Sequence, residues 1–443
     1  MDRPDVSNSL ALYERAQQII PGGTQLFSRR PERFAPGVYP CYLTHGKGSK
    51  VWDVDGNEYI DFMCGVGPVI LGHAFEPVTN AVIEQLRKGS SFTVNHPAEV
   101  ELAELLVEII PCAEMVRFCK SGGTADEIAV RIARGHTGRD KVAICGYHGW
   151  HDWYLAANLA TSDNLDGHLL PGLDIRGVPR VLEGTTIPFE YNELCSLERV
   201  LEENPGQIAA IIMEAARSEE PSPWFLRGVR ELADKHGVVL IFDEVITGFR
   251  LGLGGAQERL GVTPDIATFG KAMSNGHPIG AVCGRREVMQ DAANMFISST
   301  YYSDPAGMVA AIATIRQLQD KEALVHIWGI GYLLQRGFAE LGQKHGLDAT
   351  CPGYPPVTHP HFDFPEELHK PLITLYLQEM LRGGILAGTV NYICYSHSEE
   401  DVTAFLEAAD NALSVLKKAL DEGDPHKYLE GAERGDDFGR LVR

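Results

Sequence analysis

From about residue 140 the chain alternates short apolar runs with stretches of helical periodicity, and that alternation constrains its fold more than any other feature. Lys141–Gly146 and Ile208–Glu214 read as strands and 224–236 as a helix. Val238-Val239-Leu240-Ile241-Phe242 reads as a further strand, ending abruptly in Asp243-Glu244-Val245. Apolar strands separated by helices predict an α/β fold with a mostly parallel sheet wrapped by helices. Ligands of such sheets sit beyond the carboxyl ends of the strands, which is where Tyr147, Asp243 and Lys271 fall.

The rest of the chain is organised around this segment. Residues 9–20 read as a short amphipathic helix stopped by Pro21-Gly22-Gly23. Val51–Asp61 reads as two strands around Asp55-Gly56-Asn57, and helical periodicity follows at 77–88, 97–110 and 124–136. A long helical stretch covers 306–345, with shorter strands near 357–364 and 391–395 and a charged, glycine-rich tail from about 420. A chain of 443 residues is long enough for more than one domain. The expected division is an N-terminal segment, 1–65, packing with the small domain, and a large domain at 66–307. A small α+β domain at 308–425 and a charged tail at 426–443 complete it.

Composition excludes several classes of function. The formal net charge of -21 argues against a nucleic-acid partner, although a pocket of backbone amides can still hold one anion. No apolar run approaches the ~20 residues of a membrane helix. Nine scattered cysteines without a Cys-x-x-Cys pair fit buried thiols in a reducing compartment. Met1-Asp2-Arg3-Pro4-Asp5 opens no apolar leader segment, so a cytoplasmic protein is expected.

Three segments carry chemistry. Asp243 stands at a strand end, 28 residues before Lys271, which follows Pro264-Asp265-Ile266-Ala267-Thr268-Phe269-Gly270. A buried lysine and aspartate on neighbouring strand ends suit pyridoxal phosphate (PLP): the amine condenses with the cofactor aldehyde and the carboxylate keeps the ring nitrogen protonated. Burial lowers a lysine's pKa and makes it a better nucleophile. Ser121-Gly122-Gly123-Thr124 opens a helix whose free amides could cradle a phosphate. The same residues also read as a plain capped helix, and they lack the Gly-Lys-Ser/Thr ending of a Walker loop. Tyr147 could lie on a cofactor ring, while His148, His151 and Asp152, or His359 and His361, could instead hold a metal. Asp243 alone also reads as a strand-end carboxylate, and Lys271 alone as a surface lysine.

In order along the chain, these motifs resemble the class III, fold-type I PLP-dependent aminotransferases, and in particular the glutamate-1-semialdehyde 2,1-aminomutase branch. The similarity runs from Ile20 to about Leu413. It includes Trp52-Asp53-Val54-Asp55-Gly56, Leu71-Gly72-His73, Tyr147-His148-Gly149, Asp243–Arg250, Gly270-Lys271 and Pro278-Ile279-Gly280-Ala281. The resemblance implies a large domain with a mostly parallel seven-stranded sheet and a smaller α+β domain. It implies that Lys271 carries the internal aldimine and shuttles a proton, that Asp243 pairs with the ring nitrogen, and that Val245 and Tyr147 cover the two ring faces. Ser121, Gly122, Gly123 and Thr124 occupy the phosphate-loop positions, with His148 beside Tyr147. Thr300 matches a threonine that reaches the phosphate of a partner subunit, which implies a homodimer with shared sites. Arg29 falls at the position that binds a substrate carboxylate, and Glu214 and Asn391 fall on the substrate side.

The departures from the family pattern touch that substrate side. Thr124 stands where the phosphate loop usually carries a glutamate, Thr389 where the aminomutases carry a second one, and Val66 where they carry a tryptophan. Glu214-Ala215-Ala216-Arg217-Ser218 replaces the Glu-Pro-x-x-Gly stretch of many class III enzymes. The expected activity is a ping-pong aminotransferase that cycles between PLP and pyridoxamine phosphate. It would move an amino group from an amino acid, L-glutamate foremost, to a ketone or aldehyde acceptor, with a sugar of an aminosugar pathway favoured. An aminomutase and a non-catalytic PLP-binding protein are the alternatives.

Overall fold

The apolar runs between residues 115 and 284 join in one sheet in the structure, a computed structural model that describes residues 3–168 and 172–435. Its strands are β1 (Met115–Cys119), β2 (Lys141–Cys145), β3 (Thr186–Pro188), β4 (Ile208–Met213), β5 (Val239–Asp243), β6 (Ile266–Phe269) and β7 (Gly280–Gly284). They lie in the order β1-β7-β6-β5-β4-β2-β3. Neighbours are parallel except at β7, which runs antiparallel to both β1 and β6. Every residue of the central strands β4 and β5 is buried, as expected of strands covered on both faces.

Helix α1 (Gly122–Thr137) follows β1 directly and packs across the sheet. Its start is set by Ser121, whose extended backbone and hydroxyl cap the Thr124 N–H at 3.3 Å. Its end is set by Gly138, left-handed at φ 66°. Ile128 and Ile132 of α1 meet Val142, Ile144, Ile212, Ile241 and Val282 of the sheet in one buried cluster. Each such side chain stabilises the fold by about 1.5–3 kcal/mol through apolar burial, so the β1–α1 turn is held from both sides.

The chain forms two compact units. The sheet unit spans Glu76–Lys321. The other unit joins the described residues up to Phe75 with those from Glu322 onward. The breaks fall later than 65/66 and 307/308 because helix Pro305–Asp320 packs on helices Glu76–Lys88 and Ala98–Ile109 and so stays with the sheet. The expected helical stretch 306–345 is two helices, Pro305–Asp320 and Ala323–His345, broken at Glu322 with φ 48°.

In the second unit, Lys50–Asp53 and Glu58–Asp61 pair around the turn, which the Asp53 carboxylate holds by accepting the Asp55 and Asn57 N–H groups. Strands expected near 357–364 and 391–395 shrink to Val357–Thr358, His361–Phe362 and Asn391–Tyr392. The described part of the tail is tied down: Ala432 N–H donates to Pro36 O and Gly435 N–H to Glu32 O. Residues 436–443 lie outside the described residues. Among the described residues no disulfide forms, seven of the nine cysteines are buried, and no helix is long and apolar enough to cross a membrane.

Candidate active site

The carboxyl ends of β2, β4, β5 and β6 and the start of α1 converge on one buried polar cluster. Asp243, the last residue of β5, is 6% exposed. Its Oδ1 accepts the Val245 N–H at 3.0 Å, and its Oδ2 faces His148 Nδ1 at 2.9 Å. His148 is fully buried just beyond β2, so residues 95 positions apart meet because β2 and β5 lie in one sheet. Glu244 turns away from this cluster and accepts the Ala256 and Gln257 N–H groups at 2.8 and 2.9 Å. Of the two adjacent acids, the second holds a loop.

Lys271 opens a short turn after β6 with a left-handed backbone, φ 31°. Burial lowers the pKa of its amine, against the pull of the Asp243 and Glu214 carboxylates. That balance leaves a nucleophilic amine beside acids that can hold its proton. A Cβ on the preceding Gly270 would lie only 3.6 Å from the Gly122 backbone, so the lysine turn packs on the α1 start.

The α1 start is shaped by close backbone approach. A Cβ on Gly122 would fall 2.7 Å from Val245 Cγ1, and one on Gly149 would fall 3.0 Å from the Gly123 Cα. Gly123 also faces the His151 ring. The amides of the first turn of this 16-residue helix therefore face a narrow cradle. Thr124 bonds the Ser121 hydroxyl at 2.8 Å and completes the cap.

The Tyr147 ring is edge-on to Tyr154, 5.9 Å between centroids, and its N–H donates to Glu214 Oε2 at 3.1 Å. Burial and then Asp243 push the Glu214 carboxyl pKa up, and Gly146 is required beside it, since a Cβ there would stand 2.6 Å from Oε2. Glu214 thus braces the strand-end turn. Thr300 is exposed at the head of the turn Thr300–Ser303. Arg29 and Asn391 belong to the other unit. Arg29 is exposed, while Asn391 is buried with its Nδ2 3.5 Å from Thr358 Oγ1 and no partner for Oδ1 among the described residues. In that unit Val66 and Thr389, two of the departure positions, line one cavity of about 140 Å³ together with Arg33, Met63, Tyr392 and Arg434. Arg33, and not Arg29, is the arginine of residues 29–33 in that lining.

Two orphaned atoms test the fit to a cofactor. His148 Nε2 and His151 Nδ1 are buried without a partner among the described residues, and a buried polar atom of this kind calls for one. An anion cradle, a strand-end carboxylate and a buried amine match the phosphate, ring nitrogen and aldehyde of PLP. When bound, that cofactor supplies an electron sink for the carbon bearing the amino group. Ser121, Gly122 and Gly123 can hold its phosphate, Asp243 its ring nitrogen and Lys271 its aldehyde carbon. A Gly122→Ala variant is expected to hold PLP at least about tenfold more weakly, because its methyl group must displace Val245 or the helix start; fluorescence titration of apo-protein checks this.

Asp126 was not legible as part of the site. It lies on the buried face of α1, 2% exposed, with its Oδ1 accepting the Thr268 hydroxyl at 2.6 Å. The sequence signal was an acid on an otherwise apolar helix face between Ala125 and Ile128.

A seven-stranded sheet with this site at its strand ends is the architecture of the fold-type I PLP-dependent transferases. The family model for class III aminotransferases matches residues 34–350. The chain belongs to the class III aminotransferases, which use PLP. It is 39% identical to a 3-aminobutyryl-CoA aminotransferase from Cloacimonas acidaminovorans over 94% of this chain and 99% of the relative. It is 36% identical to a glutamate-1-semialdehyde 2,1-aminomutase from Syntrophobacter fumaroxidans over 92% and 97%. Among solved structures, an omega-transaminase from Sphaerobacter thermophilus superposes with TM-score 0.84 at 29% identity, covering 93% of this chain and 98% of that one.

Proposed function

We propose that this chain is an aminotransferase that takes an amino group from L-glutamate and passes it to a carbonyl carbon of a 3-oxoacyl compound. Lys271 would move the proton at the substrate carbon and Asp243 would hold the charge on the ring nitrogen. By the family resemblance Val66 and Thr389 fall at substrate-side positions, and the observation that carries the acceptor class is the character of the cavity they line within their own unit. Both aminomutase-type side chains are gone from it, and Met63, Val66 and Tyr392 present mainly apolar surface beside Arg33 and Arg434. Such a lining suits a short acyl chain with an anionic handle better than a polyol, whose hydroxyls would lose their water without replacement partners. The relative named for 3-aminobutyryl-CoA supports the same class. A sugar acceptor is therefore the second choice. The aminomutase reading draws on the aminomutase-named relatives and is weakened by Thr389 and Val66.

A homodimer belongs to this proposal, because Thr300 is exposed and its neighbours Phe296 and Tyr301 are 85% and 65% exposed. Light scattering is expected to give twice the 48.6 kDa chain mass. The activity test starts with the yellow holoenzyme and L-glutamate alone, which should convert it to the pyridoxamine form. A 3-oxoacyl thioester should then restore the yellow form faster than a keto-sugar. Restoration by the keto-sugar alone would overturn the acceptor class, and glutamate-1-semialdehyde turnover without any donor would establish the aminomutase instead.

A further inference from the structure

A second carboxyl stands behind Asp243. Asp126 and Asp243 each bring an oxygen, and His148 a ring nitrogen, to within 4.8 Å of one another. All three side chains are buried. Thr268, which donates to Asp126 Oδ1, is paired in register with Asp243 across β5 and β6. The arrangement is therefore built by the sheet itself and by the first turns of α1.

Two carboxyls in such proximity, shielded from water, do not both ionise, because their repulsion is unscreened. Donors to the charged form decide which one keeps the charge. Among the described residues Asp243 has the Val245 N–H and the His148 ring, whereas Asp126 has the Thr268 hydroxyl alone. We propose that Asp126 is a positioning residue, a neutral carboxylic acid that donates a hydrogen bond to Asp243 and tempers the basicity of the carboxylate offered to the cofactor's ring nitrogen. This rests on the assignment of Asp243 to that nitrogen. A carboxylate has about four acceptor sites, and Val245 N–H, His148, Asp126 O–H and the ring nitrogen would fill them. Burial and then Asp243 push the Asp126 pKa well above the carboxylate range, with Glu214 acting in the same sense. The positive groups acting on the cluster are Lys271, whose amine feels Asp243, Glu214 and Asp126; Arg250, which acts on that amine; and Arg217, 3.9 Å from Glu214.

Asp126→Asn and Asp126→Ala test the proposal. Asparagine reproduces both bonds, accepting from Thr268 and donating to Asp243, but cannot ionise; alanine removes them. Infrared difference spectra of apo-protein should show a protonated carboxyl in wild type that vanishes in Asp126→Asn. The holoenzyme spectrum and PLP affinity should stay within about twofold in the asparagine variant and weaken about tenfold or more in the alanine variant. Stability adds an independent readout. A folded pKa raised above the usual 3.8 means the unfolded chain loses this proton first. Wild-type stability therefore falls as pH rises from about 4 toward neutrality, a slope that Asp126→Asn lacks. The Tm gap between the two should widen with pH.

Absence of the carboxyl band, or a cofactor spectrum disturbed as much by asparagine as by alanine, would overturn the proposal. A wild type that shows the band yet takes up no PLP would instead overturn the reading of Asp243 itself.

Discussion

Lys271→Ala is expected to lose turnover by about four orders of magnitude or more, together with the yellow absorbance of the lysine-bound cofactor. The size follows from two roles that fall on one amine. It is the group that can bond the cofactor aldehyde, and its lowered pKa, set by burial against Asp243 and Glu214, lets it take and return a proton at the substrate carbon. Lys120 also follows a strand end of this sheet, directly after β1, but it is paired to Asp304 at 2.9 Å. Folding should persist, because the Met273 N–H still bonds Gly270 O across the turn and Asp243 keeps the Val245 N–H and His148 as partners. Rapid mixing of reconstituted variant with L-glutamate provides the measurement. A rate within tenfold of wild type would remove Lys271 from the chemistry.

Asp243→Asn is expected to slow the half-reaction with L-glutamate by about 10²–10³-fold while leaving the thermal transition within a few degrees of wild type. An amide keeps the shape: its oxygen can accept the Val245 N–H while its NH2 donates to His148 Nδ1 in the other ring tautomer, so the strand end survives. The full negative charge that makes a ring nitrogen hold its proton is lost. This variant should retain PLP and colour, which separates it from Lys271→Ala. Near-normal rates would mean that another group faces the ring nitrogen.

The pairs of residues at the site differ in how far the sequence revealed them. The ends of β2 and β5 were legible because strands buried on both faces become continuous apolar runs, so the first polar residue after each run marks a strand end. The phosphate cradle was legible as a helix cap with two glycines, Ser121-Gly122-Gly123. The antiparallel β7, Gly-Ala-Val-Cys-Gly, was not, since nothing in five small residues states their direction. Asp126 was hidden for a related reason. A helix acid normally faces water, and this one is buried by strands β5 and β6, more than 110 residues further on. The long helix expected over 306–345 failed at Glu322, where the left-handed residue is invisible to periodicity.

The sequence alone therefore determined the strand ends and the helix cap, because burial periodicity and local caps are properties of neighbouring residues, and its ordered motifs carried the resemblance to the family and its cofactor. The tertiary structure decided what each of those residues faces. His148 against Asp243, Asp126 behind it, Glu214 bracing Tyr147 and Arg33 in the cavity wall are contacts between distant segments. They exist only once strand order and helix packing bring those segments together.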